Sequence, residues 1–508
     1  MPAASRRNKK KQIGRNACLY SVTEGLVHHQ AARLDGAEAL YLQALEAQPD
    51  NADALHLLSV LRHQQGNALE AVNLITKALA IEPNRPEAHN NLGVALRELG
   101  RPAEAEASYR EALRLRPDYP EAHNNLGNVL SDLDRLTEAE ASYREALRLL
   151  PDCPEIHNNL GGALSDLGCT AEALACYETA LAIRPDDVSA HFGRSRVLLL
   201  RGEYAEGWRE FEWRWRGGTA EEIKLRGFAE PQWQGENVAG KTLLLHAEQG
   251  FGDTLQFCRY ASLVGATARV ILEVQPPLVR LCSTLAGVAQ VVARGERLPA
   301  FDLHCPLMSL PLAVRTTLNT IPSGVPYLAA DPELVAEWRE RLAGLDGLRV
   351  GLVWAGSLRL EPELSAIDRR RSITLAMMAP LGEASGVNFI SLQKGAPAAQ
   401  SANATLGLAL YDFTANLRDF ADTAALIEAL DLVISVDTSV AHLAGALGKP
   451  IWLLNRFDTC WRWLLDRDDS PWYPQLRQFR QPGPGDWNSV MCAVRDALQR
   501  RAVDTHVT

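Results

Sequence analysis

The chain has 508 residues, too many for one hydrophobic core, so two or three domains are expected. Hydrophobic residues make up 47% and charged ones 22%, the balance of an ordinary soluble protein, and no apolar run approaches the length of a membrane span. A net charge of -10 with no offsetting basic face excludes the electrostatic footprint of a nucleic-acid binder, and the nine cysteines, with no Cys-x-x-Cys pair, read as reduced residues of a cytoplasmic protein.

Residues 1–16 hold the basic run Arg6-Arg-Asn-Lys-Lys-Lys11 without the apolar stretch of a signal peptide, and are predicted to be a disordered tail. Beyond the tail the chain repeats itself. Pro49, Pro83, Pro117, Pro151 and Pro185 stand 34 residues apart, and Pro86-Glu-Ala-His-Asn-Asn-Leu-Gly93 returns as Pro120-Glu-Ala-His-Asn-Asn-Leu-Gly127 and Pro154-Glu-Ile-His-Asn-Asn-Leu-Gly161. Within each copy the apolar positions keep helical spacing: Leu92, Gly93 and Leu96 on a first helix, Ala105, Tyr109 and Ala112 on a second. Small residues at Gly93 and Ala105 let the helices approach, Tyr109 is expected to fill the gap between hairpins, and Pro117 ends the copy. Period and pattern resemble the tetratricopeptide repeat (TPR), which predicts an α-solenoid over 17–217, about five repeats and a capping hairpin. The hairpin ends in the aromatic run Gly207-Trp-Arg-Glu-Phe-Glu-Trp-Arg-Trp215, expected to seal the solenoid against the next domain.

Asn91, Asn125 and Asn159 recur in register, and packing does not require them. An amide side chain both donates and accepts, which suits an extended polypeptide backbone, so these three are the candidate contacts to an acceptor peptide or partner protein. The row resembles the asparagine ladder of the protein O-GlcNAc transferase family; the alternative is that the asparagines only bridge neighbouring hairpins. His89, His123, His157 and His191 also recur and are read as packing residues, not metal ligands.

From about residue 232 apolar strand-like runs alternate with helices: Thr242–Leu245, Val270–Val274, Leu348–Trp354, Val387–Leu392, Leu432–Val436 and Ile451–Leu454. The pattern predicts two Rossmann-like α/β units, 232–345 and 346–508, the arrangement called GT-B when two such units face a cleft. The last helix, about Ser489–Arg501, is expected to cross back over the first unit.

Two segments carry the chemistry. Glu248-Gln-Gly-Phe-Gly-Asp-Thr-Leu255 comes directly after a strand; Gly250 and Gly252 admit a ligand to the backbone, and Asp253 is read either as helix N-cap or as catalytic carboxylate. The segment resembles the Gly-Asp-x-Leu turn of heptosyltransferase-like proteins, a likeness that implies Asp253 as the base taking the acceptor's proton; His246 and, more weakly, Glu248 are the alternatives. Val436-Asp-Thr-Ser-Val-Ala-His-Leu-Ala-Gly-Ala-Leu-Gly-Lys-Pro450 runs from a strand end into a helix, where hydroxyls and free amides of Thr438 and Ser439 suit a diphosphate. It resembles the Asp-Thr-(Gly/Ser)-x-x-His signature of heptosyltransferases, which implies donor contacts from Asp437, Thr438, Ser439 and His442, with Ser439 where the family usually has Gly. Gly356 and Ser357, in Trp354-Ala-Gly-Ser357, resemble the turn that meets donor phosphates, and Arg371 stands where relatives place a basic residue. Lys394, in Ser391-Leu-Gln-Lys-Gly395, ends another strand at the same edge and is a candidate contact to the donor's phosphate or nucleobase.

No Asp-x-Asp motif and no His/Cys cluster has metal-ligand spacing, so neither metal nor cofactor is expected, and the donor would be a nucleotide-diphosphate sugar. The reading is an inverting, metal-independent glycosyltransferase acting on a polypeptide presented by the solenoid. Its rivals are a TPR scaffold with a non-catalytic transferase-like domain, and a transferase with a saccharide or lipid-linked acceptor.

Overall fold

A computed structural model describes residues 17–217, 226–357, 362–403 and 407–507. The basic tail lies outside them. The chain forms two compact units that divide between Pro185 and Asp186.

The first unit is a run of helical hairpins. After a helix at 17–30 come Leu34–Ala47, Ala52–Gln64 with Ala68–Ile81, Pro86–Glu98 with Pro102–Leu115, Pro120–Asp132 with Leu136–Leu149, and Pro154–Asp166 with Thr170–Ile183. Pro86, Pro102, Pro120 and Pro154 occupy the first turns of their helices, where the missing N–H costs nothing. Each hairpin bend has one residue of positive φ, at Ala32, Gly66, Gly100, Asp134 and Gly168; glycine fills the left-handed position in three of the five. The tyrosines pack within hairpins, contrary to the expectation that they fill the gaps between them. A methyl group on Gly93 would lie 2.6 Å from Tyr109, on Gly127 2.5 Å from Tyr143, and on Gly161 2.9 Å from Tyr177.

The second unit opens with one more hairpin, Val188–Leu200 and Tyr204–Phe211. Its spacing is that of the repeats, but its packing is different: Tyr204, Trp208 and Phe211 enter the same core as Phe257, Trp461 and Trp472. Trp208 meets Trp461 edge-on at 5.2 Å, and the Trp472 indole donates to the Tyr204 hydroxyl at 3.2 Å. Beyond it lie two parallel sheets. The first holds β1 (Thr242–His246), β2 (Arg269–Val274), β3 (Val288–Ala293) and β4 (Leu303–Pro306) in the order β3-β2-β1-β4. The second holds β5 (Leu348–Val353), β6 (Val387–Ser391), β7 (Leu410–Asp412), β8 (Leu432–Val436), β9 (Ile451–Asn455) and β10 (Leu476–Arg480) in the order β10-β9-β8-β5-β6-β7. All pairings are parallel, so every strand delivers its carboxyl end to one edge of its sheet. This is the layout of a solenoid followed by a GT-B pair of Rossmann-like units.

The last helix, Trp487–Val507, corrects an expectation. It packs on the second sheet through Trp487, Val490, Met491, Val494 and Leu498, beside Val350, Leu352 and Phe389. Arg495 pairs with Glu383 at 3.0 Å, and Arg501 donates to the Asp431 carbonyl, so the helix stays with its own unit instead of crossing back. Among the described residues no helix is long and apolar enough to cross a membrane.

Candidate functional site

The order β8-β5-β6 places Asp437, the Trp354–Ser357 turn and Lys394 after three neighbouring strands, so the second sheet gathers its candidates at one edge. Asp437 leads into the helix Ser439–Ala446 with Thr438 as its N-cap residue; the Thr438 hydroxyl is 3.0 Å from that of Ser435. Arg371 ties the neighbouring turn to this point. Its guanidinium lies over Gly356, where a methyl group would come within 2.7 Å, and donates to the Asp437 carbonyl at 3.3 Å. The buried Asp368 holds it from behind at 2.7 Å. Ser357 is exposed, the last described residue before 358–361.

The first sheet brings its motif to the same place. Gly250 caps the helix Phe251–Phe257, and its amide donates to Asp253 Oδ2 at 3.0 Å. Asp253 is therefore the third helical residue, reaching back to the cap, and not the N-cap itself. A methyl group on Gly252 would stand 2.9 Å from the His442 ring and 3.6 Å from Ser439 Cα. Only glycine lets the two helix starts approach this closely, and they lie almost 190 residues apart in sequence.

Electrostatics around this junction are dense. Asp253 Oδ1 is paired with Arg462, a residue that no sequence motif marks. Its only signal in the sequence is a cation between two tryptophans, Trp461 and Trp463. Burial works against the Arg462 cation, and Cys460, Asp253 and Asp437 more than offset it. His442 stacks on Trp463 at 5.3 Å and lies 2.9 Å, through Nδ1, from the Tyr473 hydroxyl. Burial pushes its pKa down to about 3 against the pull of Asp437, so the ring is neutral at ordinary pH. Burial would raise the Asp437 carboxyl, but the nearby cations Arg371 and Arg462 help to hold it below the usual range.

Other candidates lie apart. His246 is buried beside Phe228 and 3.3 Å from His304, and burial lowers its pKa to about 3, which makes it a poor proton acceptor. Glu248 is a structural anchor: Arg214 donates to both its oxygens at 3.1 and 3.0 Å, and the Met308 amide adds a third bond. Lys394 donates to the carbonyls of Thr414 and Leu417 at 2.9 and 2.7 Å, holding a loop. Trp461, Trp463, Trp472 and Tyr473 are core residues. Among the described residues no three His, Cys, Asp or Glu side chains gather as a metal site would need.

In the solenoid, Asn125 donates to Asn90 Oδ1 and Asn159 to Asn124 Oδ1, both at 3.0 Å, while the Asn91 amide lies 3.0 Å from His56 Nε2. Each bond joins a repeat to the one before it. His89, His123 and His157 each bond, at 2.8 Å, the carbonyl of the proline six residues earlier, fastening one helix end to the next helix start.

Comparison with known proteins supports both halves. Residues 62–120, 90–154, 124–168, 154–187 and 40–73 match tetratricopeptide repeat families, and residues 398–454 match glycosyltransferase family 9 (heptosyltransferase). Protein FlbA of Caulobacter vibrioides is 29% identical over 335 residues, covering 61% of this chain and 54% of that protein. The chain thus spans about half the length of that curated relative. Among solved structures, Pseudomonas aeruginosa PilF is 22% identical with a TM-score of 0.36, covering 39% of this chain and 90% of its own. The Thermus thermophilus TPR protein TTC0263 is 28% identical with a TM-score of 0.31, covering 36% of this chain and 99% of its own. The chain thus combines tetratricopeptide repeats with a segment similar to glycosyltransferase family 9, an architecture that resembles a TPR array joined to a heptosyltransferase-like domain.

Proposed function

We propose that the protein transfers a sugar, with inversion, from a nucleotide-diphosphate donor to a polypeptide bound by the solenoid. The observation that carries the reading is the meeting of the Gly250–Asp253 turn with the Asp437–His442 helix start. A carboxylate beside a helix N-terminus, where an anion is favoured, supports such a reaction. The diphosphate would be seated by the amides and hydroxyls of Thr438 and Ser439 and by Arg371, without a metal ion. Asp253 would take the proton of the attacking hydroxyl. Neutral His442 would line the seat and keep its shape through Tyr473.

The test is calorimetry of the purified chain with nucleoside diphosphates and nucleotide sugars in the presence of EDTA. Binding at micromolar concentration is expected; no binding by any of them would end the transferase reading. Asp253→Asn should keep donor affinity within an order of magnitude while lowering transfer about 10²- to 10⁴-fold. A second reading keeps the enzyme and gives it a saccharide or lipid-linked acceptor. It is favoured by the asparagine amides already being engaged between repeats. Replacing Asn91, Asn125 and Asn159 together by Ala separates the two, since loss of transfer to protein with donor hydrolysis intact supports the peptide.

A further inference from the structure

A base must offer a lone pair to the hydroxyl it deprotonates, and each Asp253 oxygen already accepts one hydrogen bond, from the Gly250 amide and from Arg462, which leaves only the remaining lone pairs and sets a cation against the carboxylate. The pair joins residues 209 apart, one from the loop after β1 and one from the segment after β9. Arg462 is itself well fixed: Nε donates to Gln256 Oε1 at 2.7 Å, another nitrogen lies 3.2 Å from Cys460 Sγ, and the guanidinium sits 4.2 Å over the Trp461 ring. Asp437 and His442 also feel its charge. The cation therefore pairs with the aspartate of the first motif and acts electrostatically on the start of the donor motif. A diphosphate offers a guanidinium more charge and more acceptor oxygens than one carboxylate does.

We propose that Arg462 couples the two motifs: in the empty cleft one guanidinium nitrogen holds the Asp253 carboxylate, and a seated diphosphate takes over that N–H and frees Asp253 for the acceptor, while the other contacts keep the arginine in place. The inference rests on the transferase reading and adds an order to it. Donor enters first, Asp253 is released, and the acceptor O–H then loses its proton to the carboxylate as its oxygen bonds the anomeric carbon. The bond from that carbon to the diphosphate breaks, and its electron pair leaves with the nucleoside diphosphate, beside Arg462. A carboxylate withheld until the donor is seated would not activate water in its absence. Arg462 would thus act on the proton transfer through Asp253.

The coupling predicts an unusual result. In Asp253→Asn the isosteric amide still accepts from Gly250 but no longer competes for the guanidinium, so a nucleoside diphosphate should bind more tightly than to the wild type, by about five- to tenfold. Calorimetry with uridine, guanosine, adenosine and cytidine diphosphates, in EDTA, on full-length protein measures it. Arg462→Gln should bind the preferred diphosphate more weakly, and the Asn substitution should bring no gain in that background. Arg462→Lys keeps the charge and should keep part of the gain, which preserves the test should Arg462→Gln fail to fold. Equal or weaker binding by Asp253→Asn, with wild-type binding intact, overturns the coupling and leaves the pair a structural tie. Absence of binding by the wild type overturns the transferase reading instead.

Discussion

The two units solve the problem of buried polar groups differently. In the solenoid the polar ties run to the neighbouring copy or within one turn: Asn125 to Asn90, Asn159 to Asn124 and Arg97 to Asp132 each span 35 residues, and His to Pro carbonyl spans six. In the second unit Arg214 reaches Ser309 across 95 residues, Arg462 reaches Asp253 across 209, and Trp472 reaches Tyr204 across 268. A repeated polar residue is thus accounted for by the copy next door or by its own turn, whereas a polar residue that occurs once and is buried has to be explained by its site. The tryptophans give separate access to the two: all 11 lie beyond residue 200, so their fluorescence reports the second unit alone.

The largest stability effect expected is at Arg214. Its side chain is 1% exposed and satisfies Glu248, Glu212, Ser309 and the Phe211 carbonyl at once. Arg214→Ala leaves the Glu248 carboxylate buried without its partner and should cost about 3–5 kcal/mol, read as a fall in the urea midpoint followed by tryptophan fluorescence. Loss of under about 1 kcal/mol would mean that the long-range ties are not what stabilises this unit.

Acid should act on the same unit. His246 and His442 are both held near a pKa of about 3 by burial, while an unfolded histidine titrates near about 6.5. The unfolded state therefore binds the extra protons first. Their contribution to stability is complete above about pH 6.5 and is lost as pH falls from there toward 3, at about 1.4 kcal/mol per pH unit for each ring. Tryptophan-monitored unfolding at pH 7, 6 and 5 measures the slope. His442→Gln should reduce it by the share of one histidine, and an unchanged slope would remove His442 as a buried neutral group.

Legibility in the sequence divides along the same line. The 34-residue period exposes the solenoid, because every hairpin buries the same face against its neighbour. Strands β1, β2, β5, β6, β8 and β9 announce themselves as apolar runs since they are buried on both faces. The others do not: β3 has an exposed outer face, β4 and β7 have four and three residues, and Leu-Arg-Gln-Phe-Arg in β10 alternates with charge. At the site, Asp253, Gly252, Asp437, Ser439, His442, Arg371 and Gly356 were visible from spacing at strand ends and from family likeness. Arg462 was not, because an ion pair across 209 residues leaves no local pattern. Lys394 and Glu248 had the right chemistry at the right edges, but the fold uses them to hold a loop and an arginine.

The smallest effect is the sharpest test of the solenoid's side of the comparison. Gly127→Ala would bring a methyl group to 2.5 Å from Tyr143, whose ring is buried and whose hydroxyl bonds Asn128 at 2.8 Å. Overpacking of this kind costs about 1–3 kcal/mol, against which alanine returns up to about 1 kcal/mol of helix propensity. A net loss of roughly 1 kcal/mol should appear in the far-ultraviolet circular dichroism melt and leave tryptophan fluorescence in place. The chain already contains the remedy, since the repeat before Gly93 and Tyr109 carries Ser59 and Ile75 at the same two positions. Ser59 and Ile75 there line a small, partly open pocket together with His63 and Asn91. Gly127→Ser combined with Tyr143→Ile should therefore relieve the clash but not reach wild-type stability, because it exchanges strain for a void. A Gly127→Ala protein that melts like the wild type would show that the tyrosine can yield, and that glycine recurs at this position for some reason other than close approach.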